Sequence, residues 1–314
     1  LGDIVFSLSA INSIKQHYQN YKIELLTEQK YISFFKKSLF FNKIIKDNRK
    51  DNLIKTISNL FYLKKQKYNF IIDLQNSKRT QFYNFFFRFF TKSIICSSRQ
   101  FCHLRYNIPK QGTESVSEGL LNQLKLLNIK EYKDINFHWL HCKIMEDYKS
   151  PLVLFIPGVS KNNYQKQWSP QNFASLALYC EQRKYQICVI GANEDLDSCF
   201  PILNSCRNVI NRIDSSPPEV IYSIALKSTL IITNDTGPGH IASLSKNNIL
   251  WIANDNNITK SNISEVIVVT GHESEDIKLE LKNYNLKFVF NEKYKDGLST
   301  SLRAGIKSLG KKID

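Results

Sequence analysis

Three apolar runs, Leu152-Val153-Leu154-Phe155-Ile156, Gln186 to Ile190 and Leu230-Ile231-Ile232, each end in a polar turn that contains glycine, and each is followed by a helical pattern. A run with no polar alternation must be buried on both faces, as in a parallel sheet covered by helices. Strand patterns at Lys22 to Thr27, Phe70 to Leu74 and Ile249 to Ala253 carry the alternation along the chain. This predicts an α/β fold with a parallel sheet in each half. The 314 residues suit two domains of about 150 residues each. The polar stretch Lys130 to Pro151, which precedes a new strand, reads as the linker between them. No repeat or low-complexity tract is evident.

The turns carry the chemistry. Thr233 to His240 reads T-N-D-T-G-P-G-H and precedes Ile241-Ala242-Ser243-Leu244. Such a turn aims backbone N–H groups and a helix N-terminus at one spot, where partial positive charge favours a phosphate. Asp235 or Thr236 as an ordinary N-cap is the simpler reading of the same residues. Upstream, Leu152–Ile156 runs into Pro157-Gly158-Val159-Ser160 and then Lys166-Gln167-Trp168-Ser169-Pro170. Ser160 could hydrogen-bond a phosphate oxygen and Lys166 could neutralise its charge; a solvated surface lysine is the plain alternative. Ser169 and Pro170 read as N-cap and first residue of a helix through Asn172 to Arg183. The third run ends in Gly191-Ala192-Asn193-Glu194-Asp195, whose carboxylates could bind ribose hydroxyls or cap the next helix. In an open parallel sheet, ligands collect at the carboxyl ends of strands.

In this order, P-G-x-S, K-x-W-x-P, G-x-x-E/D and N-D-T-G-P-x-H resemble bacterial glycosyltransferase family nine, the lipopolysaccharide heptosyltransferases. Leu1-Gly2-Asp3-Ile4-Val5 resembles that family's L-G-D segment, and Ile71-Ile72-Asp73-Leu74-Gln75 with Arg79 resembles its D-L-Q-x-x-x-R stretch. The resemblance implies a GT-B fold, with two Rossmann-like domains whose parallel sheets face a central cleft. The domains would be a basic acceptor-binding domain over 1–145, a nucleotide-sugar domain over 151–290 and a tail helix in 291–314 that packs back on the first. It also implies transfer of heptose from ADP-heptose to a lipopolysaccharide inner-core acceptor with inversion. No metal or cofactor is required. Asp3 takes the place of the general base, a role suited to a carboxylate within reach of the acceptor hydroxyl; an N-cap is its other reading. Ser160, Lys166, Glu194, Asp235, Thr236, Gly237 and His240 take the donor positions, the last of these helping to hold the leaving diphosphate. Two departures stand out. The first strand of the N-terminal domain is expected to be missing from this sequence, and Gly239 replaces a larger residue such as Met, Leu or Ser, which would loosen the loop.

Charge is uneven. Residues 1–150 carry 25 Lys and Arg against 12 Asp and Glu, a net of +13, and residues 151–314 carry 18 against 16, a net of +2. A basic first half attracts an anionic partner, although a Lys-rich composition alone would give the same excess. The run Phe82-Tyr83-Asn84-Phe85-Phe86-Phe87-Arg88-Phe89-Phe90 is too short to span a bilayer. It reads either as a helix packed on the N-terminal sheet or, with Lys78, Arg79, Arg88 and Lys92, as an interfacial helix that touches the membrane surface. The Tyr31 to Lys37 cluster could line the acceptor cleft or do the same. Seven cysteines form no C-x-x-C pair, which suits reduced thiols in the cytoplasm, and the resemblance implies a place at the cytoplasmic face of the inner membrane. His138 and His141 lack the pattern of a metal site. A nucleic-acid-binding protein is the alternative from another class, prompted by a sequence pI near 9.4 and 35 Phe and Tyr residues. Two phosphate-type turns in a nearly neutral half argue against it, and no nucleic acid is expected as a partner. Within the enzyme class, the alternatives are another nucleotide sugar or a donor-binding homologue without turnover.

Overall fold

The computed structural model describes residues 1–47, 53–110, 113–159, 167–252, 267–271, 274–280, 286–296 and 298–308. The chain divides into two compact units, Asp3–Leu140 and His141–Asp314, the second joined by Leu1–Gly2. The division falls inside the polar stretch 130–151.

In the first unit, α1 (Gly2–His17), β1 (Glu24–Thr27), α2 (Gln29–Ser38), β2 (Lys43–Lys46), α3 (Leu53–Lys65) and β3 (Phe70–Ile72) are followed by α4 (Lys78–Phe90), β4 (Ile94–Ser97), β5 (Leu104–Arg105) and α5 (Val116–Lys125). Ser77 and Ser115 start α4 and α5 with capping boxes, reciprocated by Thr80 and Glu118; such a cap contributes about 1 kcal/mol. Ile71 and Ile72 point to opposite faces of β3, as strand alternation requires. Ile71 joins Leu60, Leu63, Tyr83, Phe86 and Phe87 beneath α3 and α4. Ile72 joins Ala10, Ile14, Leu120 and Leu124 beneath α1 and α5.

All pairings in this unit are parallel, but the strands form two sheets, β1–β2 and β3–β4–β5. Among the described residues β1 and β3 do not pair, which leaves a break between the two sheets. A cavity of about 370 Å³ occupies the break, bounded by Glu24–Thr27 of β1, Phe70–Ile72 of β3, Ile4, Ser7 and Ile11 of α1, and Tyr83, Asn84 and Phe87 of α4. Asn84 is buried, and its Nδ2 has no hydrogen-bond partner among the described residues.

The second unit contains β6 (Leu152–Ile156), α6 (Pro170–Gln182), β7 (Gln186–Gly191), α7 (Leu196–Ser205), β8 (Val209–Ile213), α8 (Pro218–Lys227), β9 (Leu230–Asn234), α9 (Gly237–Ser243) and β10 (Ile249–Ile252). These strands make one parallel sheet of order β10-β9-β6-β7-β8. Every residue of β6 is buried, as its unbroken apolar run requires of a central strand. Val153 and Phe155 pack with Phe173, Ala177, Cys199 and Ile202 of the covering helices. Burying side chains of this size stabilises by roughly 1.5–3 kcal/mol each. Cys188 and Cys199 behave as small apolar core residues, and burial pushes each thiol up to about 12.

Chain order sets the ligand position. From β6 the chain winds outward through β7 to β8, then returns to the other side of β6 as β9 and continues to β10. The switch point therefore lies between the carboxyl ends of β6 and β9, where such sheets bind ligands. Beyond β10 come β11 (Ile267–Thr270), α10 (Ser274–Glu280), β12 (Lys287–Phe290) and α11 (Leu298–Ser308), with β11 and β12 pairing as a separate parallel sheet. Ile306 of α11 packs against the core of the second unit, and the Arg303 guanidinium lies 5.3 Å from the centre of the Tyr179 ring.

Candidate functional site

The register of β6 with β9 places Ile156 opposite Thr233, so the turns after the two strands emerge side by side. Asn234, fully buried, joins them: its Nδ2 donates to the Pro157 carbonyl at 2.7 Å and its Oδ1 accepts from the Trp168 N–H at 3.2 Å. One amide therefore fixes both the end of β6 and the residue two places after Lys166. Trp168 is anchored in the core, its ring centre 4.8 Å from that of Phe173. Ser160 and Lys166 themselves lie outside the described residues. Ser169 holds the N-cap position of α6 with Pro170 as the first helical residue, but its hydroxyl bonds the Gln171 side chain.

The third strand end meets the first. Asp195 Oδ2 accepts from the Ala192 N–H at 2.8 Å, and a Cβ on Gly158 would lie 2.3 Å from the Asp195 Cγ. Gly158 is thus required by close approach of the two turns. Burial raises the Asp195 carboxyl above its ordinary range, opposed by the Ala192 hydrogen bond. Glu194, the ribose candidate, is exposed in the short 3-10 turn Asn193–Asp195. Asp195 is the carboxylate that faces inward, and sequence spacing could not separate the two.

In the donor loop, Thr236 holds the N-cap position of α9 without a capping bond from its side chain. The hydroxyl of Thr236 therefore does not do the work of an ordinary cap. His240 is buried; its Nε2 lies 3.1 Å from Asp235 Oδ1 and its ring centre 4.8 Å from that of Trp251. Asp235, Thr236 and Gly237 remain partly accessible. The expectation that Gly239 loosens the loop is corrected. A Cβ there would lie 2.6 Å from Thr233 Oγ1 and 3.1 Å from Trp251 Cζ3, so the neighbours already fill the space a larger residue would take. Thr233 cannot easily yield, because its hydroxyl donates to the Asn234 carbonyl at 2.8 Å. Gly239→Ala is therefore expected to destabilise by about 1–3 kcal/mol through overpacking. The partner change Thr233→Ala should recover part of the loss in a double-mutant cycle read by denaturant melts.

In the first unit, Asp3 is an exposed acid in the first turn of α1, where the helix dipole favours a carboxylate. It lines the cavity beside β1 and β3 together with Glu24, Glu28, Asp47 and Asp73, and no Lys or Arg is among the lining residues. The basic excess of this half therefore lies elsewhere. Asp73 and Arg79 have local structural work. Asp73 accepts the N–H groups of Gln75 and Asn76 and the Ser97 hydroxyl. Arg79 lies 3.5 Å from Asp47 and donates to the Tyr83 hydroxyl, which in turn donates to Asp47 at 2.7 Å. Burial, followed by the Asp47 contact, pushes the Tyr83 phenol up to about 12. His138 and His141 are exposed. No group of three His, Cys, Asp or Glu placed to hold a metal occurs among the described residues.

Comparison with known proteins bears on this arrangement. A family model described as glycosyltransferase family 9 (heptosyltransferase) matches residues 61–285. No curated protein matches the chain. Among solved structures, a glycosyl transferase family 9 protein from Veillonella parvula superposes with a TM-score of 0.72 at 18% identity, over 100% of this chain and 94% of the other. ADP-heptose lps heptosyltransferase II of E. coli gives 0.63 at 14% identity, over 98% and 95%. E. coli heptosyltransferase WaaC with ADP-2-deoxy-2-fluoro heptose gives 0.61 at 11%, over 80% and 84%. These superpositions establish the shared GT-B fold, and the family match spans well over half of the 314 residues: the chain belongs to glycosyltransferase family 9.

Proposed function

We propose that this glycosyltransferase moves a heptose from ADP-heptose to a lipopolysaccharide inner-core acceptor, with inversion at the anomeric carbon and no metal ion, at the cytoplasmic face of the inner membrane. The observation that carries the reading is the joining of two phosphate-type turns by Asn234 at the switch point of the second unit's sheet. The donor class is supported by two E. coli structures of this fold, an ADP-heptose heptosyltransferase and one holding an ADP-heptose analogue.

In this reading Asp3 accepts the proton of the acceptor hydroxyl as its oxygen bonds to the anomeric carbon. The bond from that carbon to the diphosphate oxygen breaks at the same time, and ADP leaves with the electron pair. Lys166, Ser160 and the backbone N–H groups of the Asp235–His240 loop meet the charge that develops on the diphosphate, as fixed dipoles and a cation can without reorganising. His240, held by Asp235 and Trp251, keeps that loop in shape, and Glu194 beside Asp195 takes the ribose hydroxyls.

Calorimetry with ADP, UDP, GDP and ADP-heptose tests the donor half. Adenine ligands should bind best, with a Kd in the micromolar range, about −8 kcal/mol. Lys166→Ala should weaken ADP by roughly 10–100-fold, the scale of a lost hydrogen bond to a charged group, and His240→Ala should weaken it as well by releasing the loop that Asp235 and Trp251 hold through this ring. A preference for UDP would reassign the sugar nucleotide, and absence of nucleotide binding by the folded protein would overturn the donor site.

A further inference from the structure

We infer that the outer faces of α3 and α4 form a docking surface for an anionic lipid bilayer. Both helices bury one apolar stripe in the core of the first unit, yet their solvent faces are apolar as well. Phe61, Phe82, Phe85, Phe89 and Phe90 are between 42% and 63% exposed, each far more than a packed ring leaves in water. Four of them fall in two ring clusters. Phe85 contacts Phe89 and Phe101 with ring centres 4.9 and 5.2 Å apart, and Phe86 links Phe61 to Phe90 at 5.3 and 5.1 Å. Exposed apolar patches of this kind mark interaction sites.

Charge selects the partner. The sequences Leu53–Lys65 and Lys78–Phe90 contain no Asp or Glu. Lys55, Lys65, Lys78 and Arg88 are exposed on these helices, and Lys92 is exposed just beyond α4. The Lys64 ammonium sits 6.0 Å from the Phe61 ring centre and 5.5 Å from that of Phe90, so charge and aromatic surface share one face. The cavity of this unit has only carboxylates as charged lining groups, which leaves the net +13 of residues 1–150 to the outside. Aromatic rings that enter the acyl boundary while Lys and Arg meet lipid phosphates satisfy both features. A second copy of the same acid-free face would bring like charges together. No helix among the described residues is long and apolar enough to cross a membrane, so contact is with the surface.

The test is cosedimentation of the full chain with phosphatidylglycerol and with phosphatidylcholine vesicles, at low and high salt, without nucleotide or acceptor. It therefore fails or succeeds independently of the transfer reaction. Binding is expected to the anionic vesicles only, and to weaken with salt. Phe82→Ser/Phe85→Ser/Phe89→Ser should lower the partition constant at least tenfold, as should Arg88→Glu/Lys92→Glu. Retained ADP binding and an unchanged circular dichroism spectrum would show that these exposed substitutions leave the fold intact. Equal binding to both vesicles, no binding to either, or undiminished binding by the serine variant would overturn the assignment. So would a dimer that the serine variant dissolves, or a preference for single-stranded RNA over the vesicles.

Discussion

Asp3→Asn is expected to slow heptose transfer by about 10²–10⁴-fold, the usual contribution of a general base, equivalent to about 3–5 kcal/mol of barrier. Asparagine matches aspartate in shape but cannot hold the acceptor proton at neutral pH, so geometry is preserved while the chemistry is removed. ADP affinity should change little, because the carboxylate acts on the acceptor hydroxyl in this reading and not on the nucleotide. Loss of a carboxylate from the first turn of α1 should lower stability by only about 0.3–1 kcal/mol. The two readings of Asp3 therefore separate cleanly. A role confined to the helix start predicts a small shift in the melting midpoint and near-normal turnover. Steady-state assays of ADP release with ADP-heptose and a lipopolysaccharide acceptor distinguish them, and a kcat/KM within threefold of the parent would remove Asp3 from the chemistry.

The strands most plainly legible in the sequence were those whose burial is written as an unbroken apolar run. Leu152–Ile156 needs no context, because five adjacent apolar residues fit only the centre of a covered parallel sheet. Val209–Ile213, with Asn211 and Arg212 at its centre, sits at the sheet edge beyond β7, where polar residues are tolerated. Its pattern is too weak to separate from a loop. The same holds for Lys43–Lys46, a four-residue strand with a lysine at each end. The aromatic run in α4 had two readings, a helix packed on the sheet and an interfacial helix. The structure explains the ambiguity, since Tyr83, Phe86 and Phe87 are buried while Phe82, Phe85 and Phe89 are exposed on the same helix.

At the site, the turn chemistry was legible and its wiring was not. Glycine, proline and short polar residues after an apolar run locate a strand end, but not which strand ends are neighbours. Gly158 met Asp195 and Gly239 met Thr233 and Trp251 only once the sheet order was known. Substitution at either glycine is governed by those neighbours, whichever residue relatives prefer. Asn234 was visible between Thr233 and Asp235 as part of the turn, yet nothing in its local spacing points to Pro157 or Trp168, 77 and 66 residues away. The amide had no local partner to predict. That is the general limit of a sequence pattern: period and punctuation report on the backbone, whereas a buried polar side chain reports on topology.

Asn234→Leu should lower stability by roughly 2–4 kcal/mol, because it removes two hydrogen bonds at once and leaves a buried carbonyl and a buried N–H without their partner, at about 1–3 kcal/mol for each. Leucine is also larger than asparagine, so overpacking at this fully buried position adds to the loss. Pro157, Trp168 and Asn234 are all buried, which denies the orphaned groups an easy exchange for water. The denaturant midpoint should fall with little change in slope, the mark of lost stability without altered compactness. Asn234→Asp keeps an acceptor for the Trp168 N–H but cannot donate to Pro157 when ionised, and it buries a charge. It should be the more damaging of the two at neutral pH and should recover as pH falls and the carboxyl regains a proton. Function follows from the same two bonds. Trp168 closes the segment that carries Lys166, and Pro157 begins the turn that carries Ser160, so freeing both should weaken ADP binding even in protein that remains folded. A stability change below about 0.5 kcal/mol, the scatter expected of an ordinary surface substitution, would show that Asn234 does not hold these turns together.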